Sequence, residues 1–480
     1  MDDRRKIPSP LLSMVPVAAL VGLLFLVLKL FDGDTLSGAS QIVLILSTAV
    51  CIAVAMIFRL ARWRDIERAI VGNISNVTPA LLILLLIGAL SGAWMVSGII
   101  PTLIYYGMMI ISPDMYLAST CVICAAVSVM TGSSWTTVAT VGIALAGIGT
   151  AQGFSPGWIG GAIISGAYFG DKISPLSDTT VMASAITDTP LFTHIRYMMV
   201  TTVPSIAIAL AVFTVAGFRH SAASPEGISV FADTLKGTFN ISLWLLLVPA
   251  ATALLIVRKA PPMATLFVSG ILAAAFAVIF QPHVLRAIAD GDSTGAAVLV
   301  KGFFISLYGS THVSTGHATI DSLVATRGMA GMMNTIWLIL CAMCFGGAMT
   351  ASGMLGSIVS VFARFMRNTA GTVATTVFSG IFFNVCTGDQ YLSIILTGDI
   401  YRDIYRSKGY ESRLLSRSAE DGATVTSPLV PWNTCGMTQA TVLGISTLTY
   451  LPYCIFNLVS PLMSILVAAT GYKIRREILQ

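Results

Sequence analysis

Long apolar runs separated by short polar stretches are the main feature of the chain. The runs lie at about residues 11–30, 41–58, 79–100, 115–130, 136–149, 197–217, 241–257, 263–280, 332–361 and 448–468. A run of about 20 apolar residues is long enough to cross a bilayer as a helix. The pattern therefore predicts an all-α, polytopic membrane protein, and residues 281–331 are the part in which no clear pattern is seen.

Four polar stretches interrupt the apolar runs. Polar groups inside the membrane must line a cavity or contact a buried polar partner. Residues 131–135 (TGSSW, tip 1) and 387–391 (TGDQY, tip 2) each separate two apolar arms. Residues 170–180 (GDKISPLSDTT, break 1) lie inside the segment 158–186, and residues 420–434 (EDGATVTSPLVPWNT) form break 2. We expect discontinuous helices at the breaks, because proline disrupts the preceding helical turn. Each tip is expected to be a re-entrant hairpin, or otherwise a helix broken by glycine and serine.

The two halves of the chain match each other at one offset. SGAWMVSGII at 91–100 resembles GGAMTASGML at 346–355, tip 1 resembles tip 2, and SPL recurs at 174–176 and 427–429. The offsets, 253 to 256 residues, indicate an internal repeat. We therefore divide the chain into a first half, 1–220, a polar connector, 221–240, and a second half, 241–480.

The basic residues indicate that the repeat is inverted. The loops after the first small-residue run and after tip 1 lack lysine and arginine. Their counterparts carry Arg364 and Arg367, and then Arg402, Arg406, Lys408, Arg413 and Arg417. Because lysine and arginine favour the cytoplasmic side, equivalent loops are expected on opposite faces. Inverted repeats with discontinuous helices are typical of secondary transporters.

Composition narrows the class further. Of the 480 residues 55% are hydrophobic and 10% are charged, whereas soluble domains have about 25% charged residues. The net charge of +5 fits basic cytoplasmic loops, among them residues 59–68 and the turn 188–196 with His194 and Arg196. The first apolar run is longer than that of a signal peptide. It follows basic residues 4–6 and precedes acidic Asp32 and Asp34, so we expect a retained helix with a cytoplasmic N-terminus.

No sequence motif points to an enzyme or to a resident cofactor. Of the eight cysteines most lie in apolar runs and are interpreted as packing residues. Neither a zinc-ligand spacing nor a nucleophile–base motif is seen. We therefore expect no catalytic residues and no bound cofactor.

The carboxylates and hydroxyls at the tips and breaks are the candidate ion-binding groups. Asp171 and Asp178 flank Ser174 and a proline, and Asp389 lies in tip 2. These three carboxylates are the predicted ligands of a sodium ion rather than of a transition metal. The further predicted ligands supply the neutral oxygens of the site, and they are Ser133, Ser134, Ser174, Thr179, Ser427, Asn433 and Thr434. Burial favours the protonated form of a carboxyl group, so Na⁺ and H⁺ would compete for the same oxygens.

Each of these residues also has a structural interpretation. Asp171 could form an ion pair with Lys172 or an arginine, and Asp178 could cap the next helix. Ser174 and Ser427 could cap backbone groups at the breaks. We expect Asp399 to be solvated or ion-paired, leave Glu420 and Asp421 open between the two roles, and expect His312 and His317 to be satisfied in a loop.

At these motifs the chain resembles the NhaC family of Na⁺/H⁺ antiporters. The matching stretches, between about residues 91 and 461, are GSSWTTVATVGIALAGIG, GAIISGAYFGDKISPLSDTT, LFTHIR, GDQYLSI, EDGATVTSPLVPWNTCG and PYCIFNLVSPL. The resemblance implies antiport of a cation against protons at the bacterial cytoplasmic membrane, on a scaffold of inverted repeats and paired hairpins. The family also contains members that look like sodium-coupled lactate/malate exchangers and amino-acid carriers.

We expect a Na⁺/H⁺ antiporter that works by alternating access, with sodium ions, protons and the lipid bilayer as its partners and no nucleic acid. A Na⁺- or H⁺-coupled exchanger of small organic anions, of the malate/lactate type, or an amino-acid carrier is the alternative. Hydroxyl-rich breaks suit a carboxylate substrate too, and Lys172 could pair with it, although no arginine lies inside break 1 or break 2. Whether the chain forms a homodimer is left open.

Overall fold

The computed structural model describes residues 8–30, 38–219, 225–258, 260–289 and 295–474. The first helices are α1 (Pro10–Leu30), α2 (Ala39–Ile57), α3 (Trp63–Val96), α4 (Ile99–Ile110), α5 (Tyr116–Thr131), α6 (Ser134–Thr137), α7 (Ile143–Ala151), α8 (Pro156–Ile173), α9 (Asp178–Ile186) and α10 (Leu191–Arg219). Next come α11 (Pro225–Thr238), α12 (Leu247–Val257), α13 (Pro262–Phe280), α14 (Pro282–Ala289), α15 (Ala296–Tyr308) and α16 (Ala318–Val324).

The remaining helices are α17 (Met333–Ala351), α18 (Met354–Phe362), α19 (Thr369–Thr387), α20 (Gln390–Ser407), α21 (Ser412–Ala419), α22 (Thr434–Leu443), α23 (Thr447–Tyr450) and α24 (Ile455–Thr470). Short 3₁₀ turns lie at Pro113–Met115, Leu243–Leu246, Met329–Met332, Ala363–Phe365, Ser427–Leu429 and Leu451–Tyr453. A π-helical turn, Val138–Gly142, joins α6 to α7, and a second, Glu420–Thr424, follows α21.

The helices are long and apolar enough for a polytopic membrane protein. Among the described residues, nine could cross a membrane, or up to eleven if two bent helix pairs each form one span. The β structure of the same residues is one isolated bridge between Thr311 and Thr326. The predicted all-α, polytopic fold is confirmed, whereas the inverted orientation of the repeats and the boundaries of the two halves stay predictions.

The predicted discontinuities are present. The helix of segment 158–186 is interrupted between Ile173 and Asp178, as proline at position 175 requires. Tip 1 separates α5 from α6, and tip 2 separates α19 from α20. The helices are therefore interrupted at the positions that the local sequence predicts.

Several predicted bounds were wrong. The third span, predicted at 79–100, belongs to α3, which begins at Trp63 and includes part of the predicted basic loop 59–68. Residues 332–361 form α17 and α18 with Ser352 and Gly353 between them, and the last span is bent by 55° between its two helical parts. The reason is that hydropathy reports where a segment is apolar, whereas backbone hydrogen bonding and glycine decide where a helix begins and ends.

The predicted polar loops also contain helices. The connector 221–240 includes α11, and the turn predicted at 188–196 is mostly the first part of α10. The segment 281–331, left without an assignment, holds α14, α15 and α16. The predictions made on residues 4–6, on Asp32 and Asp34 and on residues 221–224 lie outside the described residues.

Close packing of α5 against α8 positions break 1. A side chain at Gly166 or Gly170 of α8 would collide with the backbone oxygens of Cys121 and Ala125 in α5. Small residues allow such close approach of two helix backbones. Because Asp171 follows Gly170 directly, this packing carries its carboxylate to the end of α5, where tip 1 begins.

Candidate functional site

The two tips have the same local structure. Gly132 (φ 67°) and Gly388 (φ 68°) adopt the left-handed conformation that ends α5 and α19, and glycine enters this conformation without steric penalty. The next residues, Ser133 and Asp389, cap α6 and α20 by accepting a hydrogen bond from the N–H three residues later, at 3.2 and 2.9 Å. The match between the tips is thus seen in backbone geometry as well as in sequence.

Asp171 joins tip 1 to break 1. Its Oδ2 accepts hydrogen bonds from the backbone N–H (3.1 Å) and the hydroxyl (2.7 Å) of Ser134, the first residue of α6. Its Oδ1 accepts a hydrogen bond from the Ser177 hydroxyl at 2.5 Å. The carboxylate is 4% exposed, and a negative charge is favourable at the N-terminus of α6.

Asp389 makes the corresponding connection in the second half. Its Oδ1 caps α20, and its Oδ2 accepts a hydrogen bond from the Thr434 hydroxyl at 3.3 Å. The backbone N–H of Thr434, the first residue of α22, donates to the Gly388 carbonyl at 2.8 Å. The carboxylate that connects tip and break therefore lies on the break in the first half and on the tip in the second. The serine at position 133, where tip 2 has Asp389, already indicated this difference.

Asp178 differs from the other two carboxylates. The cap of α9 is Ser177, so the capping role considered for Asp178 was wrong. Asp178 is exposed, and in the described part of the chain no hydrogen bond to its carboxylate is seen. The neighbouring Thr179 is buried, and its hydroxyl lies 2.9 Å from that of Ser177.

A cavity of about 910 Å³ connects these groups. Its walls come from α3, tip 1, break 1, α9, the turn between α12 and α13, and tip 2. Asp171, Asp178 and Asp389 all line it, and its described lining contains no lysine or arginine. Among the described residues no three acidic, histidine or cysteine side chains converge as a metal cluster. Any cation bound here would therefore rely on hydroxyl and backbone oxygens as well as carboxylates.

The predicted ligands other than Thr434, which donates to Asp389, divide into two groups. Those that line the cavity, besides the three carboxylates, are Ser133, Ser134 and Thr179. Ser174 instead donates to the Val129 carbonyl at 2.8 Å, and Ser427 donates to the Thr424 carbonyl at 2.7 Å. Asn433 caps α22. These last three residues thus hold backbone groups at the breaks.

A buried ion pair that the sequence analysis did not predict lies behind the cavity. Lys172 Nζ pairs with Asp421 Oδ1, and both side chains are fully buried. Ser460 bridges them, because its hydroxyl donates to Asp421 at 2.8 Å and accepts from Lys172 at 3.0 Å. Thr201 donates to the other oxygen of Asp421 at 3.1 Å. Break 1 and break 2 are therefore joined by opposite charges, and the suggested pairing of Lys172 with Asp171 was wrong.

The signal for this pair was present in the sequence. Both residues are charged, and both lie in breaks flanked by apolar segments, where a lone charge is unfavourable. Because the two residues have opposite charges and lie in the two matched breaks, an ion pair between them could have been proposed from the sequence.

Two basic residues placed in cytoplasmic loops are buried instead. His194 of α10 is fully buried and its Nδ1 lies 2.7 Å from the Ser416 hydroxyl. Arg417 of α21 is also fully buried, with its guanidinium 4.7 Å from the centre of the Tyr197 ring. The prediction of cytoplasmic loops did not include this burial, and the side of the membrane on which the two residues lie stays a prediction.

Other expectations for charged groups agree better with the structure. Asp399 pairs with Arg402 at 3.5 Å and is 54% exposed, as the ion-pair interpretation requires. His312 and His317 lie exposed in the segment between α15 and α16.

Comparison with known proteins identifies the family. The model of the Na⁺/H⁺ antiporter family matches residues 9–181 and 166–472. The chain belongs to this family. The match covers both tips and both breaks, and the resemblance to the NhaC family is confirmed by relatives of that name.

Three relatives illustrate the similarity. The chain is 36% identical to the Na⁺/H⁺ antiporter NhaC of Alkalihalophilus pseudofirmus, over 89% of this chain and 90% of that protein. It is 34% identical to NhaC of Bacillus subtilis, over 97% and 99%. It is also 35% identical to the malate-2H⁺/Na⁺-lactate antiporter of Bacillus subtilis, over 85% of each chain. The relatives are antiporters, which fits the expectation of a transporter.

Proposed function

We propose that this chain exchanges Na⁺ for H⁺ across the bacterial cytoplasmic membrane, with the cavity between the tips as the ion-binding chamber. The observation that carries the proposal is that Asp171, Asp178 and Asp389 line one cavity whose described lining has no basic residue. Family membership supports the same activity.

Competition for oxygens around Asp171 provides the exchange. Ser134 and Ser177 now donate hydroxyl hydrogens to its carboxylate, and the Thr179 hydroxyl lies beside that of Ser177. A hydroxyl that rotates can offer an oxygen lone pair to a cation instead of a hydrogen to a carboxylate. Bound Na⁺ would therefore be coordinated by Asp171 and hydroxyl oxygens, and a proton on Asp171 would replace it when the ion leaves.

Asp178 and Asp389 act at the edges of this centre. Asp178, exposed and without a hydrogen bond in the described residues, is free to attract a cation entering the cavity. Asp389 carries a second negative charge on tip 2. The cavity extends to residues 260–262, next to the basic turn at Arg258. Basic turns favour the cytoplasm, so we infer that the cavity faces inward in this conformation.

The charges of the cavity favour a cation over an organic anion. Three carboxylates would repel a carboxylate substrate at this depth, and Lys172, the residue that could have attracted one, is neutralised by Asp421. Uptake of labelled malate or lactate by loaded proteoliposomes tests this point. We expect no counterflow, and substantial counterflow would favour the anion exchanger instead.

Proteoliposomes with an internal pH indicator test the antiport. We expect a Na⁺ gradient to drive proton movement with the wild type, and Asp171→Asn and Asp389→Asn to abolish it. Asp178→Asn should raise the Na⁺ concentration needed for half-maximal flux. The matched control is Asp399→Asn, on the same helix as the residues of tip 2 but exposed, and it should behave as wild type. Undiminished flux in Asp171→Asn would contradict the proposal. The cytoplasmic N-terminus and a homodimer stay predictions.

A further inference from the structure

A fully buried carboxylate lies beyond the cavity, and no ion pair or well-formed hydrogen bond to it is seen among the described residues. Glu420 is 0% exposed, and neither of its oxygens has a hydrogen bond of good geometry within the part of the chain that is described. An ionised carboxylate at such a position has lost its water and gained in exchange only the poorly aligned hydroxyl of Thr424, which is strongly unfavourable. The protonated carboxyl is the form that this position accommodates.

The surrounding charges reinforce this conclusion. The charged groups that face Glu420 are Lys172 and Asp171 of α8 and Asp421 of its own turn. The charge of Lys172 is already balanced by Asp421. An ionised Glu420 would therefore add a negative charge to a neutral pair, beside the carboxylate of Asp171.

Among the described residues, the other elements packed on this turn place no cation against Glu420. Helices α19 and α24 carry no charged side chain. Helix α9 begins with Asp178, and α20 is capped by Asp389. The two arginines of α20, Arg402 and Arg406, lie at its partly exposed end and pair with Asp399 and Asp188. Arg417, one turn earlier on α21, lies over the Tyr197 ring, and none of its nitrogens has a hydrogen-bond partner of good geometry among the described residues.

The turn that holds Glu420 also connects it to the cavity. Glu420–Thr424 is π-helical, and π-helical turns inside α-helices are frequent at functional sites. Glu420 precedes Asp421, which binds Lys172, which in turn follows Asp171 on the cavity wall. A change in the charge of Asp171 therefore alters the electrostatic potential at Glu420, and the reverse is also true.

We propose that Glu420 is a second proton-binding residue of the exchange, an inference that rests on the antiport proposed above. Glu420 holds a proton in the conformation described here. It takes this proton from water on the opposite side of the membrane, where Na⁺ leaves, and gives it to water of the inward-facing cavity when Na⁺ binds and the breaks rearrange, leaving a carboxylate that Lys172 can then approach. The step moves one proton between a carboxyl oxygen and water, and no other bond changes.

Infrared difference spectroscopy of the purified protein between neutral and alkaline pH tests the first part. A protonated carboxyl has a carbonyl stretch well separated from that of a carboxylate. Glu420→Gln, which has the shape of the protonated form, should remove one such band. The matched control is Glu411→Gln, since Glu411 is partly exposed and paired with Arg413, and it should leave the band in place. A band unchanged in Glu420→Gln would overturn the inference.

The coupling ratio tests the second part. Opposing Na⁺ and pH gradients are adjusted until net flux stops, which gives the number of protons per Na⁺. Glu420→Gln should lower this number of protons by one. An unchanged number would show that Glu420 stays protonated throughout and has a structural role, which would overturn the proposal. Wild type without Na⁺-driven flux would refute the antiport itself, whereas the band would still report on Glu420.

A second variant guards against misfolding of the first. Thr424 is one turn from Glu420, and its buried hydroxyl faces the Glu420 carboxyl at a geometry short of a good hydrogen bond. Thr424→Val should therefore shift the frequency of the carboxyl band without removing it. An unshifted band in this variant would also contradict the inference.

Discussion

The buried pair of Lys172 and Asp421 gives the most quantitative test of the structure. Removing one partner leaves an uncompensated buried charge, which destabilises a protein by about 3–5 kcal/mol. After Lys172→Met, the carboxylate of Asp421 keeps hydroxyl donors from Ser460 and Thr201, so we expect a loss near the lower value. After Asp421→Asn, the ammonium of Lys172 keeps the Ser460 oxygen. We expect a loss near the upper value in that case.

The double variant provides the decisive measurement. With both charges gone, no buried ion remains, so we expect the double variant to lose no more stability than either single variant. With single losses of about 3 and about 5 kcal/mol and a double loss of at most about 3 kcal/mol, the coupling in a double-mutant cycle should then reach at least about 5 kcal/mol. Unfolding by denaturant in mixed micelles measures all four proteins. Losses below about 1 kcal/mol in both single variants, or simple additivity in the double, would refute the buried pair.

Two further predictions concern the tips and the exposed charges. Asp389→Ser introduces the residue of the matched tip, so it should keep the cap of α20 within about 0.5 kcal/mol while abolishing Na⁺-driven flux; Asp389→Ala should lose about 1 kcal/mol as well. Na⁺-driven flux that persists in Asp389→Ser would contradict the proposal that the carboxylate of Asp389 is required for transport. Arg406→Ala removes an ion pair with Asp188 whose side chains are 68% and 57% exposed. We expect less than about 1 kcal/mol in thermal unfolding, and a larger loss would show that the pair is buried in the membrane-embedded protein.

Much of the helical framework could be predicted because its causes are local. Apolar runs long enough to cross a bilayer specify helices, and the glycines of tip 1 and tip 2 specify where α5 and α19 end. The errors arose where local rules compete. Trp63–Val96 continues through charged residues that hydropathy assigns to a loop, because a helix tolerates exposed charges at the end of a membrane span.

The candidate site was predicted in its parts but not in its connections. The repeat placed Ser133 opposite Asp389 and predicted different roles for the two tips, and the cavity contains both residues. Nothing local distinguishes Asp171, with three hydrogen bonds, from Asp178, with none described. That difference arises because α5 packs closely on α8 and brings tip 1 to one carboxylate only.

By itself, the sequence determined the membrane class, the positions of the tips and breaks, and the oxygen-rich chemistry that they share, since each follows from the composition of short segments. The tertiary structure decided which charges meet. Lys172 and Asp421 are 249 residues apart and fully buried, and Glu420 lies beside them without a well-formed hydrogen bond in the described part of the chain. The sequence gives the sign of each charge but not its surroundings. Only the packing of break 1 against break 2 determines whether a charged side chain contacts solvent, an opposite charge or neither.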